Sequence, residues 1–99
     1  MVTEIAVLTI DPAKAADFEA AVAEAAPLFK AADGCGGMAL ERVIERPGQY
    51  RLVVRWRNVE VHMQGFRESP AFSEWRVLAG PFFVAPVDMT HSETVAAYF

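Results

Sequence analysis

The stretch MALERVIERPGQYRLVVRW, residues 38–56, decides the fold, because it contains two alternating strand patterns on either side of one turn. At its centre, residues 46–49 read Arg-Pro-Gly-Gln, the signature of a type II turn with proline second and glycine third. The residues before the turn predict a strand with Met38, Leu40 and Ile44 on one face. After the turn, one face of the returning strand carries Tyr50, Leu52, Val54 and Trp56.

Arginines and Val53 occupy the other face of the returning strand, and they predict ion pairs with Glu41 and Glu45 across the hairpin. Upstream of the hairpin, the apolar run 3–10 predicts a central strand that is covered on both faces. Asp11-Pro12 then supplies an N-cap and a first-turn proline, so a helix is expected to start there. Gly34 is the expected left-handed C-cap. The apolar stripe of this helix consists of Phe18, Val22, Ala25, Ala26 and Phe29.

Downstream of the hairpin, Asn58 is expected to cap a second helix. Its apolar stripe points almost opposite to that of the residues after position 69, so one straight helix cannot bury both. We therefore predict a break at Ser69, whose hydroxyl caps a short helix that starts at Pro70. Residues 80–86 form a loop, and a last strand runs over 87–95. One face of that strand carries Met89, His91 and Val95. The apolar stripe before position 69 consists of Val59, His62, Met63 and Phe66, and the stripe after it consists of Phe72, Trp75 and Ala79.

The predicted order is strand, helix, strand, strand, helix, strand, which is the ferredoxin-like α+β pattern over a single domain, residues 1–99. Its four-stranded antiparallel sheet carries both helices on one face. The other face is left open, with Leu, Val and Met side chains expected on it, and such a face is a natural homodimer surface.

Composition narrows the partners and the compartment. The net charge of −4 opposes binding to nucleic acid, and the apolar fraction of 54% indicates an apolar pocket or a surface covered by another chain. The single Cys35 excludes a disulfide framework and favours a cytoplasmic location. The first residues lack a signal peptide pattern, and no apolar run approaches the ~20 residues that a membrane span needs.

The predicted order of elements comes together with a set of mostly aromatic and polar side chains in the second half of the chain. These side chains are Trp56, Glu60, His62, Phe66, Arg67, Ser69, Phe72, Trp75, Pro81, Phe82, Phe83 and His91. With them, the order resembles, over nearly the whole chain, the antibiotic-biosynthesis monooxygenase (ABM) family of the dimeric α+β barrel superfamily. The resemblance implies a homodimer whose sheets face each other, with a pocket in each subunit between sheet and helices. It also implies oxygenation of polycyclic aromatic phenols by molecular oxygen without a cofactor, while a related branch binds and degrades haem.

His62 is the candidate catalytic residue, because a histidine facing the pocket can act as a general base near neutral pH. The alternative is a partly buried histidine that bonds to backbone or solvent. The candidate substrate-binding residues are stacking aromatics and polar lining groups, with core packing or a place in the dimer interface as the alternatives. Two histidines without a third ligand do not predict a metal site. The candidate binding residues are Trp56, Phe66, Ser69, Trp75, Phe83 and His91.

Three functions remain open. The first is a cofactor-independent monooxygenase, or a binding protein, for a small aromatic compound of phenol or quinone type. The second is a non-catalytic ligand-binding or stress-related dimer. The third is a haem-binding or haem-degrading protein with His62 as axial ligand. The resemblance implies that haem-degrading members carry an asparagine on the first strand and a histidine on the second helix. Here the first strand has no asparagine, and Phe66 occupies the usual position of that histidine, so the haem function is weakened.

Overall fold

The computed structural model describes residues 1–99 and contains one antiparallel sheet in the strand order β2-β3-β1-β4. This order, with both helices packed on one face of the sheet, confirms the ferredoxin-like α+β fold. A π-helical turn over Val61–Phe66, called the π turn below, precedes the second helix. The elements are β1 Val2–Thr9, α1 Ala15–Lys30, β2 Cys35–Arg42, β3 Gln49–Trp56, α2 Pro70–Ala79 and β4 Asp88–Ser92.

The hydrophobic core lies between the sheet and the helices, and each strand contributes every second side chain to it. Only one face of β1 is buried, because Ile5 and Val7 on its other face are half-exposed. The expectation that this strand is covered on both faces is therefore wrong for the single chain. The core residues of β1, α1 and β3 are Ala6, Leu8, Ile10, Phe18, Val22, Ala25, Phe29, Tyr50, Leu52, Val54 and Trp56.

The hairpin turn forms as predicted, but β2 ends earlier than expected. Gly48 has φ +84, and the Gln49 amide donates to the Arg46 carbonyl at 3.0 Å, as a type II turn requires. β2 stops at Arg42 because the chain makes an additional turn there, in which the amide of Arg46 donates to the carbonyl of Val43. Ile44 consequently projects into solvent and is 86% exposed.

The first helix also begins and ends differently from its prediction. Asp11 accepts a bond from the Ala13 amide at 3.0 Å, yet the first turn is a 3₁₀ turn and the α-helix starts at Ala15. The helix ends at Lys30, so Gly34 is too far along the chain to cap it. Gly34 does adopt φ +81, where it accepts a hydrogen bond from the Arg57 amide and turns the chain into β2.

The segment after β3 is a π turn, where the sequence pattern predicted an ordinary helix. Asn58 caps it as expected, accepting from the Val61 amide, but the Arg67 amide reaches back five residues to the carbonyl of His62. The predicted break at Ser69 is confirmed by an extended backbone, and α2 starts at Pro70. The predicted cap is wrong, since the Ser69 hydroxyl donates to the Phe66 carbonyl at 2.6 Å instead.

The last strand is shorter than predicted, since it spans Asp88–Ser92. Its register with β1 runs from Thr3 opposite Ser92 to Val7 opposite Asp88, and the residues after Ser92 are not paired with a strand. Val95 is therefore 97% exposed and does not share a strand face with Met89 and His91.

The sheet face away from the helices differs in composition from the prediction. Met38, Leu40 and Leu52 point toward the helices, so the open face carries no leucine or methionine from these strands. We call this surface the open face below. Its apolar centre is formed by the half-exposed Ile5, Val7 and Val53 and the exposed Ala39.

No helix of the structure combines the length and the apolar character that crossing a membrane requires.

Gly48→Ala is expected to destabilise the protein by about 2 kcal/mol or more, lowering Tm by roughly 8 °C or more. A β-carbon at this positive φ collides with the carbonyl oxygen of Ile10, which is held in place because the Ile10 amide bonds back to the Gly48 carbonyl. The control is Gly80→Ala, where φ is −55 and no atom lies within 4 Å of the added carbon. Equal Tm values for the two variants in thermal melts would contradict this account of the turn.

Candidate functional site

A cavity of about 490 Å³ lies between the inner face of the sheet, α2 and the segment that leads into β4. Its walls are mainly apolar and aromatic, with a smaller number of polar residues among them. This combination is typical of a small-molecule site. The apolar lining includes Ala6, Leu8, Leu52, Phe72, Trp75, Phe83, Val87 and Met89. The polar lining is Glu4, His62, Arg67, Arg76 and Asp88.

Three polar side chains lie in a row beside the cavity: Glu4, His62 in the middle, and His91. His62 is hydrogen-bonded to His91 and lies in close polar contact with Glu4. Nε2 of His62 lies 3.2 Å from Oε1 of Glu4, and Nδ1 of His62 lies 2.7 Å from Nε2 of His91. Glu4 and His62 are only 6% and 2% exposed. We refer to these three residues as the Glu-His-His row.

Trp56 holds the row from behind. Its indole N–H donates to Oε1 of Glu4 at 2.9 Å, and its ring stacks on His62 at a centroid distance of 4.9 Å and an interplanar angle of 13°. Trp56 itself is completely buried. The tryptophan therefore fixes both the carboxylate and the plane of the imidazole.

Burial shifts the two inner members of the row in opposite directions. It raises the pKa of Glu4 above 4.5, although the Trp56 hydrogen bond and the positive charge of Arg67 oppose the rise. Burial, together with the neighbouring charges of His91 and Arg67, lowers the pKa of His62 to about 4. At neutral pH His62 is consequently an uncharged imidazole, which donates from one nitrogen and accepts at the other.

The surroundings of a neutral His62 favour one tautomer when Glu4 is ionised. A proton on Nε2 places a positive N–H close to the carboxylate, whose Oε1 lies 3.2 Å away. Nδ1 then accepts from the Nε2–H of His91. No group of three or more histidine, cysteine, aspartate or glutamate side chains is placed to hold a metal ion.

The structure brings only some of the predicted site residues to the cavity. His62, Trp75 and Phe83 line it. Trp56 and His91 contact His62 but lie outside the lining. Phe66 and Ser69 line a more open groove of about 830 Å³ between the end of α1 and the π turn.

Glu4 is a site residue that the sequence reasoning missed. It belongs to the same strand face as Ala6, Leu8 and Ile10, all of which are buried. A carboxylate in phase with a buried strand face is the signal that would have identified it, because an acidic side chain is almost never buried without partners. Arg67 was noted in the resemblance without a role. In the structure it lines the cavity, with its guanidinium 5.2 Å from the centre of the Phe72 ring.

Acid is expected to destabilise the fold through His62. The pKa of His62 is about 6.5 in the unfolded chain and about 4 in the folded protein. The stability that neutral His62 contributes is therefore complete above pH 6.5 and is lost as the pH falls toward 4. The loss amounts to about 3 kcal/mol. Urea unfolding at pH 7 and pH 4 measures it, with His62→Gln as the variant that lacks the ionisation. A wild type whose stability falls no more than that of His62→Gln would contradict a neutral buried His62.

Comparisons with known proteins agree with this architecture. The sequence model of the family described as "Antibiotic biosynthesis monooxygenase" matches residues 1–77. The uncharacterised protein YczJ of Bacillus subtilis is 33% identical over 95 residues, which cover 96% of this chain and all of YczJ.

Two solved structures illustrate the range of similarity. A Bordetella bronchiseptica protein named after the same family superposes with a TM-score of 0.93 at 48% identity, covering 96% of this chain and 97% of its own. SnoaB, a cofactor-independent oxygenase from Streptomyces nogalater, superposes with a TM-score of 0.81 at 17% identity, with 98% and 95% covered, and shares the fold. Since the family model spans most of the sequence and YczJ aligns over its whole length, the chain belongs to the antibiotic biosynthesis monooxygenase family.

Proposed function

We propose that the protein is a cofactor-independent monooxygenase that acts on a small aromatic compound of the phenol or quinone type. The observation that carries the proposal is the Glu-His-His row, a buried set of proton-exchanging groups in the wall of an apolar, aromatic cavity. Membership of the family supports it, as does the shared fold with SnoaB, whose name describes a cofactor-independent oxygenase.

The cavity suits a flat aromatic substrate. Trp75, Phe72 and Phe83 provide faces and edges against which aromatic rings pack favourably. The proposed binding residues are therefore Trp75 and Phe83 in contact with substrate, while Trp56 and His91 hold the catalytic side. Phe66 and Ser69 line the groove on the other side of the π turn. The hydrogen bond from the Ser69 hydroxyl to the Phe66 carbonyl holds the end of this turn in place.

The proposed reaction converts an activated ring methylene and one molecule of oxygen into a ring carbonyl and one molecule of water. The protein removes one methylene proton, and the resulting carbanion, delocalised over the rings, transfers electrons to oxygen. Oxygen adds to the carbon, and the peroxide that forms takes up a proton and loses water to leave the carbonyl. One oxygen atom thus enters the product and the other enters water, with all four electrons supplied by the substrate.

The protein's part in this chemistry is proton removal, positioning and exclusion of water. We assign the proton removal to the Glu-His-His row as a unit, and its central member is His62, the catalytic candidate predicted from the sequence. Haem binding is not proposed, because Nδ1 of His62 is bonded to His91 and its Nε2 faces the Glu4 carboxylate at 3.2 Å. A binding protein without catalysis is the outcome that a failed activity test would favour.

Oxygen consumption with anthrone, a tricyclic ketone with one activated methylene, tests the proposal. The wild type should consume oxygen and form the diketone, and His62→Ala should be slower by about 10²–10⁴-fold, the usual contribution of a positioned acid–base group. Gln64→Ala, a change at an exposed position of the same π turn, is the control and should retain activity within twofold. His62→Ala activity within threefold of the wild type would exclude the assigned role.

We also propose that two chains associate through the open face. Ile5, Val7 and Val53 form an apolar centre there, with Arg51, Arg55 and Glu41 exposed on the same face. An apolar centre with charged surroundings is the usual composition of a protein interface. The pairing would bury the one sheet surface that no helix covers.

Val53→Glu is expected to convert the dimer into a monomer, because it places a charge at the centre of the open face. Native mass spectrometry should show the wild type at twice the chain mass of 10.9 kDa and the variant at the single mass. Val77→Glu is the matched control, since Val77 is 74% exposed on α2, and this variant should remain dimeric. A monomeric wild type would contradict the proposed dimer.

A further inference from the structure

We propose that Glu4 is the group that receives the substrate proton, on Oε2 of its carboxylate, and that His62 is the residue that positions it. This inference rests on the proposed function and specifies which member of the Glu-His-His row reacts. It also defines the substrate class, since a carboxylate base requires a carbon acid or phenol whose anion is delocalised over aromatic rings.

The two oxygens of Glu4 have different environments. Oε1 accepts the Trp56 indole N–H at 2.9 Å and lies 3.2 Å from Nε2 of His62. Oε2 has no hydrogen bond within the protein, yet no buried side-chain oxygen or nitrogen of the structure lacks a partner. Oε2 is therefore reachable from outside the protein, and Glu4 lines the cavity. One oxygen is held rigidly while the other is free to bond to a ligand.

His62 is less free to react than Glu4. Its Nδ1 is hydrogen-bonded to Nε2 of His91, and its Nε2 lies 3.2 Å from Oε1 of Glu4, so both nitrogens face protein groups. Its ring is also held by stacking on Trp56. This position suits a residue that orients the Glu4 carboxylate.

The charges around Glu4 determine its strength as a base. It faces His62 from the π turn, His91 from β4 and Arg67 at the end of the π turn, while Asp88 lines the same cavity. Burial raises the pKa of Glu4 above 4.5 despite Arg67, which makes its carboxylate a better proton acceptor than an exposed one.

The step is a simple proton transfer. The methylene C–H bond breaks, an O–H bond forms on Oε2, and the electron pair stays on carbon, where the rings and the ketone delocalise it. After oxygen, the oxidant, has added, the same proton returns from Glu4 to the peroxide oxygen, which leaves Glu4 ionised for the next cycle. The hydroperoxide then eliminates water: the second methylene C–H bond breaks, its electron pair forms the second C–O bond, the O–O bond breaks, and the departing hydroxide takes up the released proton.

Hydrogen–deuterium exchange of anthrone under argon isolates this step from oxygenation. In D₂O the wild type should accelerate deuteration of the methylene, followed by mass spectrometry, and Glu4→Gln should reduce the enzymatic rate by about 10²–10⁴-fold. Glutamine keeps an acceptor oxygen for Trp56 and His62 but cannot take a proton. Glu74→Gln, the same substitution at an exposed position on α2, is the control and should exchange at the wild-type rate.

Exchange by Glu4→Gln within threefold of the wild type would overturn the proposal, as would the absence of any accelerated exchange by the wild type. The pH profile gives a second criterion: the wild-type rate should rise with pH through the raised pKa of Glu4, and this rise should be missing in Glu4→Gln. If Glu4→Gln does not fold, by circular dichroism, Glu4→Ala with added acetate replaces it. Restored exchange would then support the role of a carboxylate, and no restoration would overturn it.

Parallel oxygen measurements separate this inference from the proposed function. Exchange that depends on Glu4 without oxygen consumption would refute the oxygenase and leave Glu4 as the base. Oxygen consumption that is equal in the wild type and in Glu4→Gln would keep the oxygenase and refute Glu4.

Discussion

The carboxylate of Glu4 lies inside the molecule, and the structure around the cavity depends on satisfying it. Removing a carboxylate from water costs several kcal/mol unless hydrogen bonds replace the lost hydration. The sheet register brings the surrounding side chains to Glu4. His91 of β4 is directly opposite Glu4, and Trp56 of β3 lies two residues from Val54, which is opposite Glu4 on its other side. The strand pairing that defines the fold therefore also positions Glu4, Trp56 and His91.

The π turn completes the site from the helical side. Its wider coil brings His62 and Phe66 inward together, so that His62 stacks on Trp56 while Phe66 packs on Phe29 at a centroid distance of 4.7 Å. π-helical turns are rare and occur frequently at functional sites. Here the turn carries the buried imidazole of His62. The bond from Ser69 to Phe66 ends the turn and lets α2 start in a new direction.

Features with local causes could be predicted from the sequence, and those with tertiary causes could not. The turn at Pro47-Gly48 and the helix start at Pro70 are determined by the residues themselves, and both are as expected. The π turn depends on how His62 and Phe66 pack against the sheet, so helical periodicity alone described it wrongly. Glu4 was missed for a similar reason: the strand pattern showed its phase with the buried face, but the partners that make its burial tolerable come from β3, β4 and the π turn. The sequence indicated His62 because this titratable residue belongs to an apolar helical stripe with aromatic residues around it.

At pH 7, neutral His62 is bonded to His91 through Nδ1 and directs a protonated Nε2 toward the Glu4 carboxylate. Long-range ¹H–¹⁵N spectra of protein with ¹⁵N-labelled histidine measure this directly, because protonated and unprotonated ring nitrogens have well-separated shifts. The account predicts that His62 has a protonated Nε2 and an unprotonated Nδ1, and that it remains so as the pH is lowered toward its pKa of about 4. A His62 that is an imidazolium at pH 7, or that carries its proton on Nδ1, would contradict it.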